Sequence, residues 1–238
     1  MYKDDSRFDK PESQETKIWR YMDFHKLVWT LDRQCLYFCT VNKIREEDPF
    51  EGSYQPNELL QNIPQEQAKE LKKKIESCGF PLTVNCWHLN EYESAAMWKL
   101  YTIAHKGVAV QSTFGRLVKA LNEFPDDVHI GKIRYIDYQT DKFAGKWSID
   151  IFEPVLTKRK SFEHENELRA VIWQTSATTG RTGDGAVTVP VNLNELIEKI
   201  YVSPFSGSWV EDVIESLVQK YNIDVPVTQS SLDIQPLY

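Results

Sequence analysis

No stretch of this chain carries the Gly-rich turn of a dinucleotide-binding βαβ unit or the lysine-tipped loop of a P-loop NTPase. The two commonest phosphate cradles are therefore excluded. No apolar run is long enough to cross a bilayer, which argues against a membrane partner. The four cysteines, Cys35, Cys39, Cys78 and Cys86, lack the paired close spacing of a zinc site, and no secretory signal precedes them. They read as reduced core residues of a cytoplasmic protein. The five histidines (His25, His88, His105, His129 and His164) are scattered, with no pair at ligand spacing, so no metal is assigned. Basic residues are the minority, 28 Lys and Arg against 35 Asp and Glu, for a net charge of -7. Binding nucleic acid with the whole surface is thereby excluded, because that affinity rests on many phosphate contacts. Two local basic clusters remain, Lys72 to Lys74 and Lys158 to Lys160. The first sits in Pro64–Cys78, which reads as a solvated surface helix.

What is present is an ordinary globular composition: 238 residues, 41% hydrophobic and 26% charged. The natural expectation is one domain over 17–222, after a loosely held stretch 1–16 and before a tail 223–238 with a candidate edge strand. Lys17–Met22 reads as a strand, Asp23 as the N-cap of a helix to Arg33, and Cys35–Val41 as a second strand. A turn-rich loop with four acids follows at Glu46–Gly52. Then come a helical region Asn57–Cys78, a strand Leu82–Trp87, and a helix opened by Ser94 and ended by Gly107. Further strands are expected at Gly107–Gln111, His129–Tyr138, Ala186–Val191 and Ile197–Val202, and helices at Phe114–Leu121 and Val210–Tyr221. Asp141–Lys160 is expected to be mostly helical with a break at Pro154, and the Gly- and Thr-rich loop 175–185 reads as mobile or as a lid. Strands and helices mix without strict βαβ alternation. The predicted fold is α+β, a mainly antiparallel mixed sheet, or two small sheets, with surrounding helices.

The chain reads as organised around Lys158–Trp173, where a basic cluster meets three alternating acids and an apolar run. If Glu165–Trp173 is extended, Glu165, Glu167 and Arg169 share one face and Leu168, Ala170 and Ile172 the other. A helix through Glu165 is the alternative, since charge runs are usually solvated faces. Beyond Glu167 the β-branched and aromatic residues favour a strand.

Several motifs occur in a familiar order: Ile18 to Phe24, Cys35 to Phe38, Asp48-Pro-Phe-Glu-Gly52, Ala96 to Tyr101 with Lys106 to Val110, and Lys158 with Phe162-Glu-His-Glu-Asn-Glu-Leu-Arg169. Together they resemble a prokaryotic domain-of-unknown-function family, number 2971, from about Ile18 to Val202. Families of this distribution often occur in defence or toxin settings, and this one brings no settled chemistry. A weaker resemblance, in the order of elements, is to the ADP-ribosyltransferase fold. It implies NAD held in a cleft between two small sheets without a Gly-rich loop. On that resemblance Glu167 stabilises the developing positive charge on ribose. Glu165 orients or deprotonates the acceptor. Arg20 grips the pyrophosphate and Tyr37 stacks on nicotinamide. Tyr21, Trp98 and Arg169 line the cofactor, while Asp48, Glu51 and Lys158 meet the acceptor side.

The same residues leave other readings open. Arg169 neutralising the two acids would make the triplet a structural ion-pair network, and Trp98 with Tyr101 at helical spacing suits a core. Asp48, Glu51, Glu165 and Glu167 converging on Mg²⁺ would suit a nuclease. Trp19, Trp87, Trp98 and Trp173 lining a pocket would suit a non-enzymatic nucleotide or peptide module. The reading carried forward is NAD-dependent ADP-ribosyl transfer or NAD cleavage, with a small-molecule nucleotide and a nucleic-acid or protein acceptor as partners.

Overall fold

A computed structural model describes residues 1–46, 48–53, 66, 81–102, 106–141 and 152–234. The predicted helix Pro64–Cys78 with its lysine cluster, apart from Glu66, lies outside the described residues, as do His105 and most of 141–151. Among those described, nine strands form one mixed, mainly antiparallel sheet, and two short strands form a second. The strands are β1 (Lys17–Asp23), β2 (Cys35–Thr40), β3 (Leu82–Leu89), β4 (Gly107–Thr113), β5 (Val128–Lys132), β6 (Arg134–Ile136), β7 (Thr157–Arg159), β8 (Glu167–Trp173), β9 (Val187–Pro190), β10 (Lys199–Val202) and β11 (Val227–Gln229). The helices are α1 (Phe24–Arg33), α2 (Val41–Ile44), α3 (Ala95–Tyr101), α4 (Phe114–Leu121), α5 (Glu153–Leu156), α6 (Leu193–Leu196) and α7 (Trp209–Lys220).

The sheet branches at β3. One edge of β3 pairs with β8 along Leu82 to His88. The other edge is shared: β1 takes only Leu89 and His88, and β2 takes only Val84 and Thr83. On its other edge β1 pairs with β4, beyond which lies β10, and β2 pairs with β9. A fork therefore opens between β1 and β2 at Asn85–Trp87. Asn85 spans part of it, donating from Nδ2 to the Tyr37 carbonyl at 2.9 Å and accepting from Trp87 Nε1 at 2.7 Å.

Alternation sets the faces. Leu168, Ala170 and Ile172 of β8 join Trp87, Leu36, Phe38, Val108 and Val110 in the main core, closed by Leu27 and Leu31 of α1 and by Phe114, Leu117 and Leu121 of α4. Each Leu, Ile, Val or Phe among them contributes roughly 1.5–3 kcal/mol by leaving water. The helices start where short hydroxyl caps free the chain from the sheet: Thr113 accepts from Arg116 N, and Ser94 from Met97 N. Loss of the first would fray α4 and loosen that wall.

The opposite face of β3 and β8 carries a second cluster of Val84, Val155, Leu156, Val171, Phe152 and Phe8. Phe8 belongs to the N-terminal stretch read as loosely held, and that stretch also donates Lys3 N to the Val128 carbonyl at 2.9 Å. Three elements differ from the sequence reading. The extended segment starts at Glu167 and not at Glu165, because Lys160–Glu165 is a 3-10 helix. The described part of 141–160 is not mostly helical: after α5, Lys158 lies on β7, paired in parallel with β6. The stretch His129–Tyr138 is two strands, separated at Ile133. No helix among the described residues is long and apolar enough to cross a membrane.

Candidate functional site

On the second face of β3 and β8, next to the fork, five of the sequence-selected residues meet, Glu51, Lys158, Glu165, Glu167 and Arg169. Register places Glu167 beside His88, and Arg169 beside Cys86 and Gly131. Between the 3-10 helix and β8, Asn166 adopts a left-handed backbone at φ 38. Asn and Asp tolerate this conformation best among residues with a Cβ. Asn166 is pinned to β3 in both directions, its Nδ2 donating to the Leu89 carbonyl at 2.6 Å and its carbonyl accepting from Leu89 N at 2.8 Å. This joint lets Glu165 and Glu167 reach the same network although only Glu167 is on the strand.

Arg169, 1% exposed, donates from all three of its nitrogens. Nε and Nη2 each donate to Glu167 at 2.8 Å, Nη1 to the Val155 carbonyl at 3.0 Å, and Nη2 also to Glu51 at 3.0 Å. The Lys158 ammonium contacts Glu165, Glu51 at 3.0 Å and Glu167 at 3.7 Å. Glu51 comes from a docked turn whose Gly52, at φ +64, leaves no room for a Cβ against Val41. Asp48 of that turn pairs with Arg159 at 2.7 Å. Tyr101 on α3 donates to Glu165 Oε1 at 2.8 Å, and Glu167 N donates to the Tyr135 hydroxyl at 2.8 Å. When all are ionised, Glu51, Glu165 and Glu167 outnumber Lys158 and Arg169 by one negative charge.

The two neighbouring acids are driven apart. Burial pushes Glu165 upward, only partly offset by Lys158. Burial pushes Glu167 the same way, but the charges of Arg169 and then Lys158 prevail and hold it below the ordinary carboxylate value. Burial opposes the charge of Lys158 too, and Glu167 and Glu51 overcome it, raising the ammonium. Neighbouring carboxyls set apart in this way are the pattern from which acid and base roles arise.

Arg20 stands at the fork. It is half-buried, burial lowers its pKa, and the thiols of Cys86 and Cys39 are the groups that act on it. Among the described residues it has no carboxylate partner. Cys39 in turn feels Arg169, Arg20 and Glu167, and Cys86 feels Glu167 and Arg169. Cys39 thus interacts electrostatically with both Arg20 and the ion network, and so does Cys86. Burial raises both thiols. Tyr37 borders Cys39 but turns its hydroxyl to Asp184 of loop 175–185 at 2.8 Å, its ring edge-on to Trp29. That loop is further tied through Gln174 Nε2 to the Gly185 carbonyl and Thr179 N to Asp126.

Tyr21 and Trp98 pack edge-on at 5.0 Å in an aromatic cluster with Trp19, and the Tyr21 hydroxyl accepts from Ser94 N. Trp87 lies in the main core, Trp19 and Trp98 in the aromatic cluster, and Trp173 is 40% exposed. Those four tryptophans therefore do not line one pocket. Among the described residues no three His, Cys, Asp or Glu side chains are placed to share a metal ion. Lys158 and Arg169 fill the space between the acids. Sequence reading passed over His88, Tyr101, Tyr135, Cys39 and Cys86 as site neighbours. A period-of-two reading of β3 pairs Cys86 with His88 on one face, which is the signal that was there to find.

No family model matches the chain, so its likeness to the domain family rests on the motifs alone. No curated protein matches it. Among solved structures the chain is similar to Thermus sp. 2.9 DarT in complex with NAD+, with a TM-score of 0.39, 11% identity, and 94% of this chain and 100% of that one covered. It is likewise similar to Thermus sp. 2.9 DarT in complex with carba-NAD+, with a TM-score of 0.42, 12% identity, and coverage of 94% and 98%.

Proposed function

We propose that this chain binds NAD at the fork between β1 and β2 and transfers its ADP-ribose to an acceptor. The observation that carries the reading is a charge arrangement. A half-buried Arg20 without an anionic partner among the described residues stands at the fork, and Cys39 and Cys86 interact electrostatically both with it and with a buried network of three carboxylates and two cations. An oxidised dinucleotide has the complementary form, an anionic pyrophosphate joined to a ring that carries positive charge. Arg20 suits the pyrophosphate, because a guanidinium fork matches phosphate oxygens. Tyr37 borders the same space.

In this reading the bond between nicotinamide and ribose breaks with its electron pair leaving on nicotinamide. Positive charge develops on the ribose as it does so. Glu167 is kept ionised by Arg169 and Lys158 and serves that charge electrostatically. Both its oxygens are occupied by Arg169, which makes it a poor proton acceptor. Glu165, pushed up by burial, is the better one and takes the proton of the attacking group on the acceptor.

Calorimetry of NAD with the wild type and Glu167→Gln, with released nicotinamide followed in the same samples, tests this. Binding by both with release only by the wild type is the expected result. Absence of binding to either protein overturns the proposal.

A further inference from the structure

Glu165 is held from three elements. Lys158 of β7 contacts Oε2, Tyr101 of α3 donates to Oε1 at 2.8 Å, and His88 of β3 contacts the main-chain carbonyl through Nδ1. A carbonyl only accepts, so the His88 proton is on Nδ1 and its Nε2 is a buried acceptor without a partner among the described residues. The other titratable groups facing Glu165 are Glu167 of β8 and Tyr135 of β6, with Glu51 beyond Lys158.

These partners differ in what lies behind them. Lys158 is buried and backed by Glu51 and Arg169, which are 2% and 1% exposed. His88 is buried too. Tyr101 alone among the three is half-exposed, on the last turn of α3. Among the described residues Tyr101 is the one hydroxyl bonded to a carboxylate oxygen of Glu165, the Tyr135 hydroxyl being taken by Glu167 N, so a proton on Glu165 has a hydroxyl-lined way toward the half-exposed end of α3.

We propose that Tyr101 is a positioning residue for Glu165, fixing its Oε1 and passing to solvent the proton that Glu165 takes from the acceptor. The inference rests on Glu165 being the proton acceptor of the transfer reading. The balance is simple: the acceptor proton moves to Glu165 Oε1, the Tyr101 hydroxyl turns its own proton from Oε1 toward water, and the Oε1 proton then passes to the Tyr101 oxygen as the hydroxyl proton leaves to water. Glu165 returns to carboxylate, and nothing is oxidised or reduced. Burial and the nearby Glu165 raise the Tyr101 pKa, so the phenol stays protonated and available as donor.

The test titrates Glu165 by carbon-13 NMR of side-chain-labelled glutamate, assigned with Glu165→Gln, in the wild type and in Tyr101→Phe. Nicotinamide release from NAD is followed across pH in the same two proteins. Removing a hydrogen bond to the charged carboxylate should move the Glu165 midpoint up by roughly half to one pH unit. The rising limb of the rate profile should move with it, and the rate should fall about tenfold. A midpoint that does not move overturns the role of Tyr101, whatever the chemistry. A midpoint that moves in a protein whose wild type releases no nicotinamide overturns the transfer reading and the relay with it. If Tyr101→Phe does not fold, a ring-fluorinated tyrosine at 101, a stronger donor, should move the midpoint down, and no movement overturns the proposal.

Discussion

Arg169 grips Glu167 through two parallel hydrogen bonds of 2.8 Å from a position two residues further along the same strand. Both residues lie on the one face of β8 that avoids the main core, because strand side chains alternate. Glu51 accepts from Nη2 and the Val155 carbonyl from Nη1. The guanidinium thus joins β8 to the docked turn at 48–53 and to α5.

Arg169→Leu would strand Glu167 and Glu51 as buried charges. Breaking one side of a buried pair costs about 3–5 kcal/mol. Urea unfolding should show a loss of that order, and the double variant Arg169→Leu/Glu167→Leu should recover much of it. A single-variant loss below about 1 kcal/mol, the range of surface pairs, would contradict the burial argument.

Arg20→Ala should behave in the opposite way. Arg20 has no ion pair among the described residues to lose, so the thermal midpoint should stay close to wild type. NAD affinity should fall roughly tenfold to a hundredfold, the worth of charge-assisted hydrogen bonds. Calorimetry showing unchanged affinity would remove Arg20 from the site.

Tyr37 reports on the loop at 175–185. Burial first, then the bond to Asp184, pushes its pKa from the ordinary 10.0 up to about 12. A raised folded value means that Tyr37 contributes its full stability below about pH 10 and loses it as the pH rises through about 12. Tyr37→Phe should flatten the alkaline arm of the stability profile and speed proteolysis within the loop. Identical alkaline arms in the two proteins would count against the Asp184 contact.

Millimolar Mg²⁺ should leave the melting temperature unchanged. A cation that binds only the folded state must stabilise it. Here Lys158 and Arg169 already occupy the acids that would ligate it. A clear rise in melting temperature with Mg²⁺ would reopen the metal-dependent nuclease reading.

The sequence by itself determined the local elements. Leu27 and Leu31, or Phe114, Leu117 and Leu121, carry a helical period that only a helix can bury on one face, and α1 and α4 form where that period runs. Alternation in Leu168 to Trp173 likewise sent Leu168, Ala170 and Ile172 to the core and left Arg169 on the other face. Tertiary structure decided which carboxylates that guanidinium meets. Glu51 lies 118 positions earlier in the chain than Arg169, and no local pattern links them. The left-handed turn at Asn166, which brings Glu165 back toward Glu167, depends on hydrogen bonds to Leu89 of β3. The fork is decided in the same way, since it exists only because β1 and β2 share one edge of β3 and then part. Periodicity reports burial on one element, whereas a site is a meeting of several, and the free energy that selects the meeting appears only when the chain closes on itself.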